Sequence, residues 1–140
     1  MNILLKNKPM AFLIAPAVSA LSFYLLALLS LEKGEYLPGM QNLFLYLAIP
    51  LSYLGVLLFG LPGLWLLNKY GMLSLGSFLT MSFFSGVLTL LSFITGIALL
   101  QQVDDFKEVY ESGLEPALLA GISAVLGAFI FAKLSGILEK

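Results

Sequence analysis

The distribution of charge is the strongest constraint on how this chain folds. Only 11% of its 140 residues are charged, against about 25% in soluble domains. The charges leave four uncharged stretches, Pro9–Leu31, Tyr36–Asn68, Tyr70–Val103 and Pro116–Ala132. A helix needs about 20 residues to cross ~30 Å of hydrocarbon, and membrane-spanning helices range from roughly 17 to 25 residues. Each stretch can therefore hold one membrane-spanning helix.

The sequence thus predicts an all-α, polytopic membrane protein. We expect four transmembrane helices in an antiparallel bundle, forming a single transmembrane domain over residues 1–140. The predicted spans are 9–31, 42–67, 74–100 and 116–135. A short amphipathic helix is predicted at 102–112, in the loop before the fourth span.

The basic residues predict the orientation. All seven are Lys, and four spans place five of them on the side of the two termini and two on the other. The five are Lys6, Lys8, Lys69, Lys133 and Lys140, and the two are Lys33 and Lys107. Because basic residues concentrate on the cytoplasmic side of a membrane, we expect both termini in the cytoplasm.

Small residues recur at helical spacing along each span. Such faces let two helices approach closely, which is how helices associate in lipid. The same faces serve either packing within one bundle or self-association, and the first use is favoured. The candidate packing face comprises Ser82, Gly86 and Thr89 of span three with Ala117, Gly121, Ala124 and Ala128 of span four.

A Gly-Leu-Pro-Gly step interrupts the second span. Pro62 has no amide hydrogen, so the carbonyl of Leu58 loses its usual helical partner. Gly60 and Gly63 make bending easier, and the three form a candidate helix kink. Freed carbonyls could line a functional cavity, but Pro62 lies only seven residues before Lys69, away from the midplane where transporter sites lie. A tolerated packing feature is the favoured interpretation.

The loop before span four carries the one patterned set of charges. Asp104, Glu108, Glu111 and Glu115 recur at helical spacing, and we call them the outer acidic ridge. We expect Ser112 and Gly113 to end this helix and Pro116 to begin span four. The ridge could draw cations to a pore, contact a basic partner or bind an ion, but a solvated helix face is favoured.

Several chemistries lack their essential residues. The chain has no His and no Cys, which excludes a His-ligated haem, the usual zinc sites and a thiol relay. No Asp or Glu lies inside a span, so proton-coupled export is not expected. Arg is absent, so lipid-phosphate or nucleotide chemistry built on bidentate clamps is not expected either. Without a base to activate a Ser, we expect no enzyme activity. No cofactor, metal or nucleic-acid partner is expected.

The segment from Ile49 to Leu79 resembles a group of uncharacterised bacterial inner-membrane proteins of similar length. The matching positions are Gly60, Leu61, Pro62, Lys69, Gly71, Leu73 and Ser74. The resemblance implies four spans in a bacterial inner membrane. It implies no activity.

The leading hypothesis is a small non-enzymatic protein of the lipid bilayer that acts through helix-face contacts. It would be a homo-oligomer or a subunit beside an unidentified membrane protein partner. The alternative is a channel or conduit for ions or small solutes, with the Ser/Thr face of span three lining it. A holin-like or defence-system membrane component is a third possibility.

Overall fold

The computed structural model describes residues 8–30, 40–100 and 106–136. This part of the chain is helical, apart from the turn between Lys69 and Leu75 and the final residue, Gly136. A π-helical turn, Val56–Gly60, joins α2 directly to α3. The α-helices are α1 (Lys8–Ser30), α2 (Met40–Gly55), α3 (Leu61–Lys69), α4 (Leu75–Leu100) and α5 (Phe106–Ser135).

Within the described residues, four helical segments are long and apolar enough to cross a membrane: Met10–Leu29, Tyr46–Lys69, Leu75–Leu100 and Gly113–Ser135. The second combines most of α2 with the π turn and α3. At this level the prediction is confirmed for the described residues: the chain is all-helical and has four helices able to span a membrane. The second span also continues to Lys69, two residues beyond the predicted boundary at 67.

Helix α5 is the centre of the packing. It lies against both α1 and α4, and α1 also contacts α2. Buried residues make up 39% of the most apolar stretch of α5 but only 11% of that of α4. The segment from α2 to α3 contacts α4 more sparsely. Of the four apolar stretches within the described residues, that of α4 is therefore the least buried.

An aromatic cluster joins α1, α4 and α5 at one end of the helices. The ring centroid of Phe131 lies 5.0 Å from that of Phe12 and 5.9 Å from that of Phe78. Ala15 and Ala128 belong to the same buried cluster. These small side chains leave room for the rings between closely packed helices.

Contacts between α4 and α5 run in opposite order along the two helices. Early in α4, Phe78 lies beside Phe131. Late in α4, the Thr95 hydroxyl lies 3.1 Å from that of Tyr110. Successive residues of α4 therefore meet successively earlier residues of α5.

The helix break predicted before the fourth span is absent from the structure. Helix α5 runs without interruption from Phe106 to Ser135, so Ser112 and Gly113 do not end a separate helix and Pro116 lies inside α5. Among the described glycines, only Gly71 and Gly136 have positive φ, at 67° and 73°. Because a terminating glycine usually adopts that left-handed conformation, Gly136 terminates a helix and Gly113 continues one.

A tight turn connects α3 to α4. The Tyr70 N–H donates to the Leu66 carbonyl at 3.0 Å, and the Met72 N–H donates to the Leu67 carbonyl at 2.9 Å. Ser74 then caps α4, since its Oγ accepts the N–H of Ser77 at 3.1 Å. Both helix ends at this turn thus find partners for their terminal backbone groups.

Candidate functional site

A cavity of about 130 Å³ lies between the helices. We call it the central cavity. Its lining on α4 runs from Phe78 to Leu90, a rise of about 18 Å at 1.5 Å per residue. All four spans contribute to its walls, which are mainly apolar. The polar lining consists of six hydroxyl side chains: Ser19, Ser52, Ser82, Ser85, Thr89 and Ser123.

Three of these hydroxyls bond to their own helices. Ser82 donates to the Phe78 carbonyl at 2.8 Å. The Thr89 hydroxyl donates to the Ser85 carbonyl at 2.7 Å, and the Ser123 hydroxyl donates to the Leu119 carbonyl at 2.8 Å. Each bond reaches back four residues, the usual way in which a helix satisfies a buried Ser or Thr.

The other three hydroxyls are unpaired within the described residues. The Oγ atoms of Ser19, Ser52 and Ser85 make no hydrogen bond to any residue that the structure describes. Ser85 is only 8% exposed. Its Oγ nevertheless keeps some accessible surface, because it is not among the fully buried, unpaired side-chain atoms of the described residues. The central cavity therefore favours an occupant that can form hydrogen bonds.

Glycines set the closest helix contacts beside the cavity. A Cβ atom on Gly86 would lie 2.5 Å from the Ala120 carbonyl oxygen and 2.8 Å from the Ala124 Cβ. A Cβ on Gly127 would lie 2.8 Å from the Ala15 carbonyl oxygen. These distances leave no room for a side chain, so small residues of different spans meet inside the chain.

The predicted packing face divides between the cavity and the helix contacts. Ala117 is fully buried, and Gly121 lies against the side chains of Phe83 and Val87. Neither of these two predicted residues lines the cavity. The five predicted residues that do so are Ser82, Gly86, Thr89, Ala124 and Ala128.

At the predicted kink, Val56–Gly60 form the π turn and the chain continues directly into α3. The Leu61 N–H donates to the Val56 carbonyl, five residues earlier, and Pro62 lies in the first turn of α3. A missing N–H is well tolerated there. Gly60 lines the central cavity, whereas Pro62 and Gly63 face a second space outside it.

That second space is a groove of about 650 Å³ between α3 and α4, which we call the lateral groove. Leu58, Pro62 and Leu66 lie on one wall, and Phe84 and Leu88 on the other. Ser85 contributes to both the groove and the central cavity, so the two spaces adjoin there.

The outer acidic ridge is described only in part. Asp104 and the side chain of Glu108 lie outside the described residues. Glu111 and Glu115 are exposed, and a Glu111 carboxylate oxygen lies 3.8 Å from the ammonium of Lys107. Within the described ranges, no group of acidic side chains is arranged to hold a metal ion.

The sequence could not identify the lateral groove or the unpaired hydroxyls. Spacing places Ser52 and Ser85 on small-residue faces, but whether a hydroxyl bonds its own helix depends on its rotamer and neighbours. Comparison with known proteins adds no relationship, since no family model, curated protein or solved structure matches this chain.

Proposed function

We propose that this chain is a non-enzymatic integral membrane protein of the bacterial inner membrane, built as an antiparallel four-helix bundle. The opposite order of contacts between α4 and α5 supports the antiparallel arrangement. The bias of Lys towards one side supports cytoplasmic termini.

The start of α5 acts as the amphipathic segment that precedes the fourth span. Glu111 and Glu115 are exposed there, while the Tyr110 hydroxyl meets Thr95 of α4. Tyr110 thus fixes the segment against the bundle, and its acidic side chains meet water. This division is typical of an amphipathic helix at a membrane surface.

The bundle is a conduit for small uncharged solutes through the central cavity. The single observation that carries this proposal is the set of unpaired hydroxyls, Ser19, Ser52 and Ser85, facing a cavity of about 130 Å³. Their unmet hydrogen-bonding capacity favours water or a polar solute over an empty space. The lining follows α4 for about 18 Å of the ~30 Å hydrocarbon thickness.

The wall chemistry selects against ions. Among the described residues that line the cavity, none is ionisable, and charged solutes are costly in a mainly apolar membrane interior. The cluster of Phe12, Phe78 and Phe131 lies at one end of the lining. An apolar end of this kind favours small neutral molecules over hydrated ions.

Liposome flux tests this proposal. Purified protein is reconstituted, and uptake of glycerol and urea is followed by stopped-flow light scattering, with potassium flux measured in parallel. We expect protein-dependent uptake of the neutral solutes and no potassium flux. Ser85→Leu and Ser52→Leu fill the cavity from two different helices and should each abolish uptake.

Ser92→Leu is the matched control for these two variants. Ser92 lies on α4 like Ser85, but it is exposed and does not line the cavity. It should transport as the unmodified protein does, and circular dichroism with gel filtration checks folding of all three variants. Neutral-solute uptake equal to that of protein-free liposomes would contradict the proposal.

Helix-face contact is the second candidate function, and one observation favours it. A Cβ on Gly96 would meet nothing within 4 Å, and Ser92, one turn earlier, is exposed. Small residues so placed can receive a helix from a second copy or from a membrane partner. Gly96→Leu should then reduce the size of the complex in mild detergent, and an unchanged size would count against this candidate.

A further inference from the structure

The lateral groove faces the side of the molecule that lipid surrounds in the proposed bundle. Its wall residues Leu58, Pro62, Phe84 and Leu88 are all exposed. The groove forms because α3 contacts α4 sparsely and because Gly63 contributes no side chain to its floor. A Cβ on Gly63 would overlap the thioether end of Met81.

The groove has the length of one lipid leaflet. Along α4 its lining runs from Ser77 to Leu88, a rise of about 16 Å at 1.5 Å per residue. Half of the ~30 Å hydrocarbon core is about 15 Å. An acyl chain that entered at the α3–α4 turn would therefore reach the deep end of the groove near the bilayer midplane.

Polar and cationic side chains lie near the end of the groove at the α3–α4 turn. The Ser74 and Ser77 hydroxyls lie 2.9 Å apart there. Pro62, Leu66 and Lys69 follow each other at spacings of four and three on α3, so Lys69 lies on the same face, one turn beyond the last groove residue of that helix. The lining of the groove is mainly apolar, with three hydroxyl residues, Ser77, Thr80 and Ser85, and Lys69 supplies a positive charge at the turn just beyond it.

Two aromatic rings hold the Lys69 ammonium at this position. It lies 5.0 Å from the ring centroid of Trp65 and 5.9 Å from that of Tyr70. Trp and Tyr favour the headgroup level of a membrane, and contacts of this kind fix a cation without neutralising its charge. The ammonium therefore remains able to attract a phosphate.

We propose that the lateral groove is a binding site for an anionic phospholipid. One acyl chain lies between α3 and α4, and the headgroup phosphate lies beside Lys69. The apolar length matches the chain, and the charge at the surface end matches the phosphate. This site goes beyond the proposed conduit, since it uses the lipid-facing surface.

Lipid binding by the purified protein tests this site. Native mass spectrometry follows titration with phosphatidylglycerol or phosphatidylcholine carrying the same acyl chains. We expect tighter binding of phosphatidylglycerol. Lys69→Gln should weaken it about fivefold, the effect of one basic residue at an anionic lipid surface, and leave phosphatidylcholine binding unchanged.

Two controls separate the site from general lipid contact. Lys133 also lies over an aromatic ring, 4.9 Å from the centroid of Phe129, but it is on α5, so Lys133→Gln should bind both lipids normally. Leu57 and Leu58 are 59% and 62% exposed, yet only Leu58 lines the groove. Leu58→Trp should weaken the binding of both lipids, and Leu57→Trp should weaken the binding of neither.

The same two pairs of variants define the results that would overturn the proposal. Equal phosphatidylglycerol binding by Lys69→Gln and Lys133→Gln would show that Lys69 does not contact the headgroup. Equal lipid binding by Leu58→Trp and Leu57→Trp would show that the acyl chain does not bind in the groove. Exposed positions tolerate such changes, and circular dichroism verifies that each variant keeps its helicity.

Discussion

The contact between Gly86 and α5 gives the sharpest prediction about stability. In Gly86→Ala the new methyl group would lie 2.5 Å from the Ala120 carbonyl oxygen, and this atom belongs to the backbone of a packed helix. Backbone cannot move aside as a flexible side chain can, so α4 and α5 must separate. Overpacking of this kind costs about 1–3 kcal/mol.

Gly96→Ala supplies the matched control on the same helix. A Cβ there meets nothing within 4 Å, so this variant keeps the gain in helix propensity, about 0.8–1.0 kcal/mol, without the steric cost. Since both variants share that gain, their difference isolates the contact with α5. We expect Gly86→Ala to be less stable than Gly96→Ala by about 1–3 kcal/mol.

The assay is unfolding in mixed micelles of increasing dodecyl sulfate content, followed by far-ultraviolet circular dichroism. Gly127→Ala is a second test, because its Cβ would lie 2.8 Å from the Ala15 carbonyl oxygen. It should lose stability as Gly86→Ala does. If Gly86→Ala and Gly96→Ala unfold together, within about 0.5 kcal/mol, the close approach of α4 and α5 is refuted.

Three further predictions use the same unfolding assay. Tyr53→Phe removes the 2.7 Å bond from its hydroxyl to the Leu13 carbonyl and should cost about 0.6 kcal/mol, a typical value for such bonds between membrane helices. Gly63→Ala meets only the flexible end of Met81, so it should cost little in a Met81→Ala background and more beside the native Met. Glu111→Gln should change stability by less than about 0.5 kcal/mol, since its ion pair is exposed.

The number of spans follows from the sequence because it depends on one strong, local property. Charged side chains are costly in hydrocarbon, so the uncharged stretches mark the spans whatever the packing.

The continuous course of α5 through Gly113 does not follow from the sequence in the same way. Ser112, Gly113 and Pro116 favour a break. A Cβ added to Gly113, however, would lie only 3.1 Å from the Ile94 side chain, so α5 packs closely against α4 at this point. Tertiary packing overrides the local signal there.

The candidate site was predictable only in outline. Small-residue spacing identifies Ser82, Gly86 and Thr89 as one face, and these residues do line the cavity. Spacing does not determine which face of α4 meets which neighbour. It also does not reveal that Thr89 bonds its own helix while Ser85 remains unpaired within the described residues.

The reactivity of a single cysteine at position 85 tests the central claim most directly. The chain has no Cys, so Ser85→Cys and Ser92→Cys each introduce one reporter on α4. Only a thiolate reacts with methanethiosulfonates, and a thiolate forms only where water reaches it. With a small neutral reagent in native membranes, we predict rapid labelling of Ser85→Cys and slow labelling of Ser92→Cys. Slow labelling at both positions would show that the cavity is dry and would contradict the account.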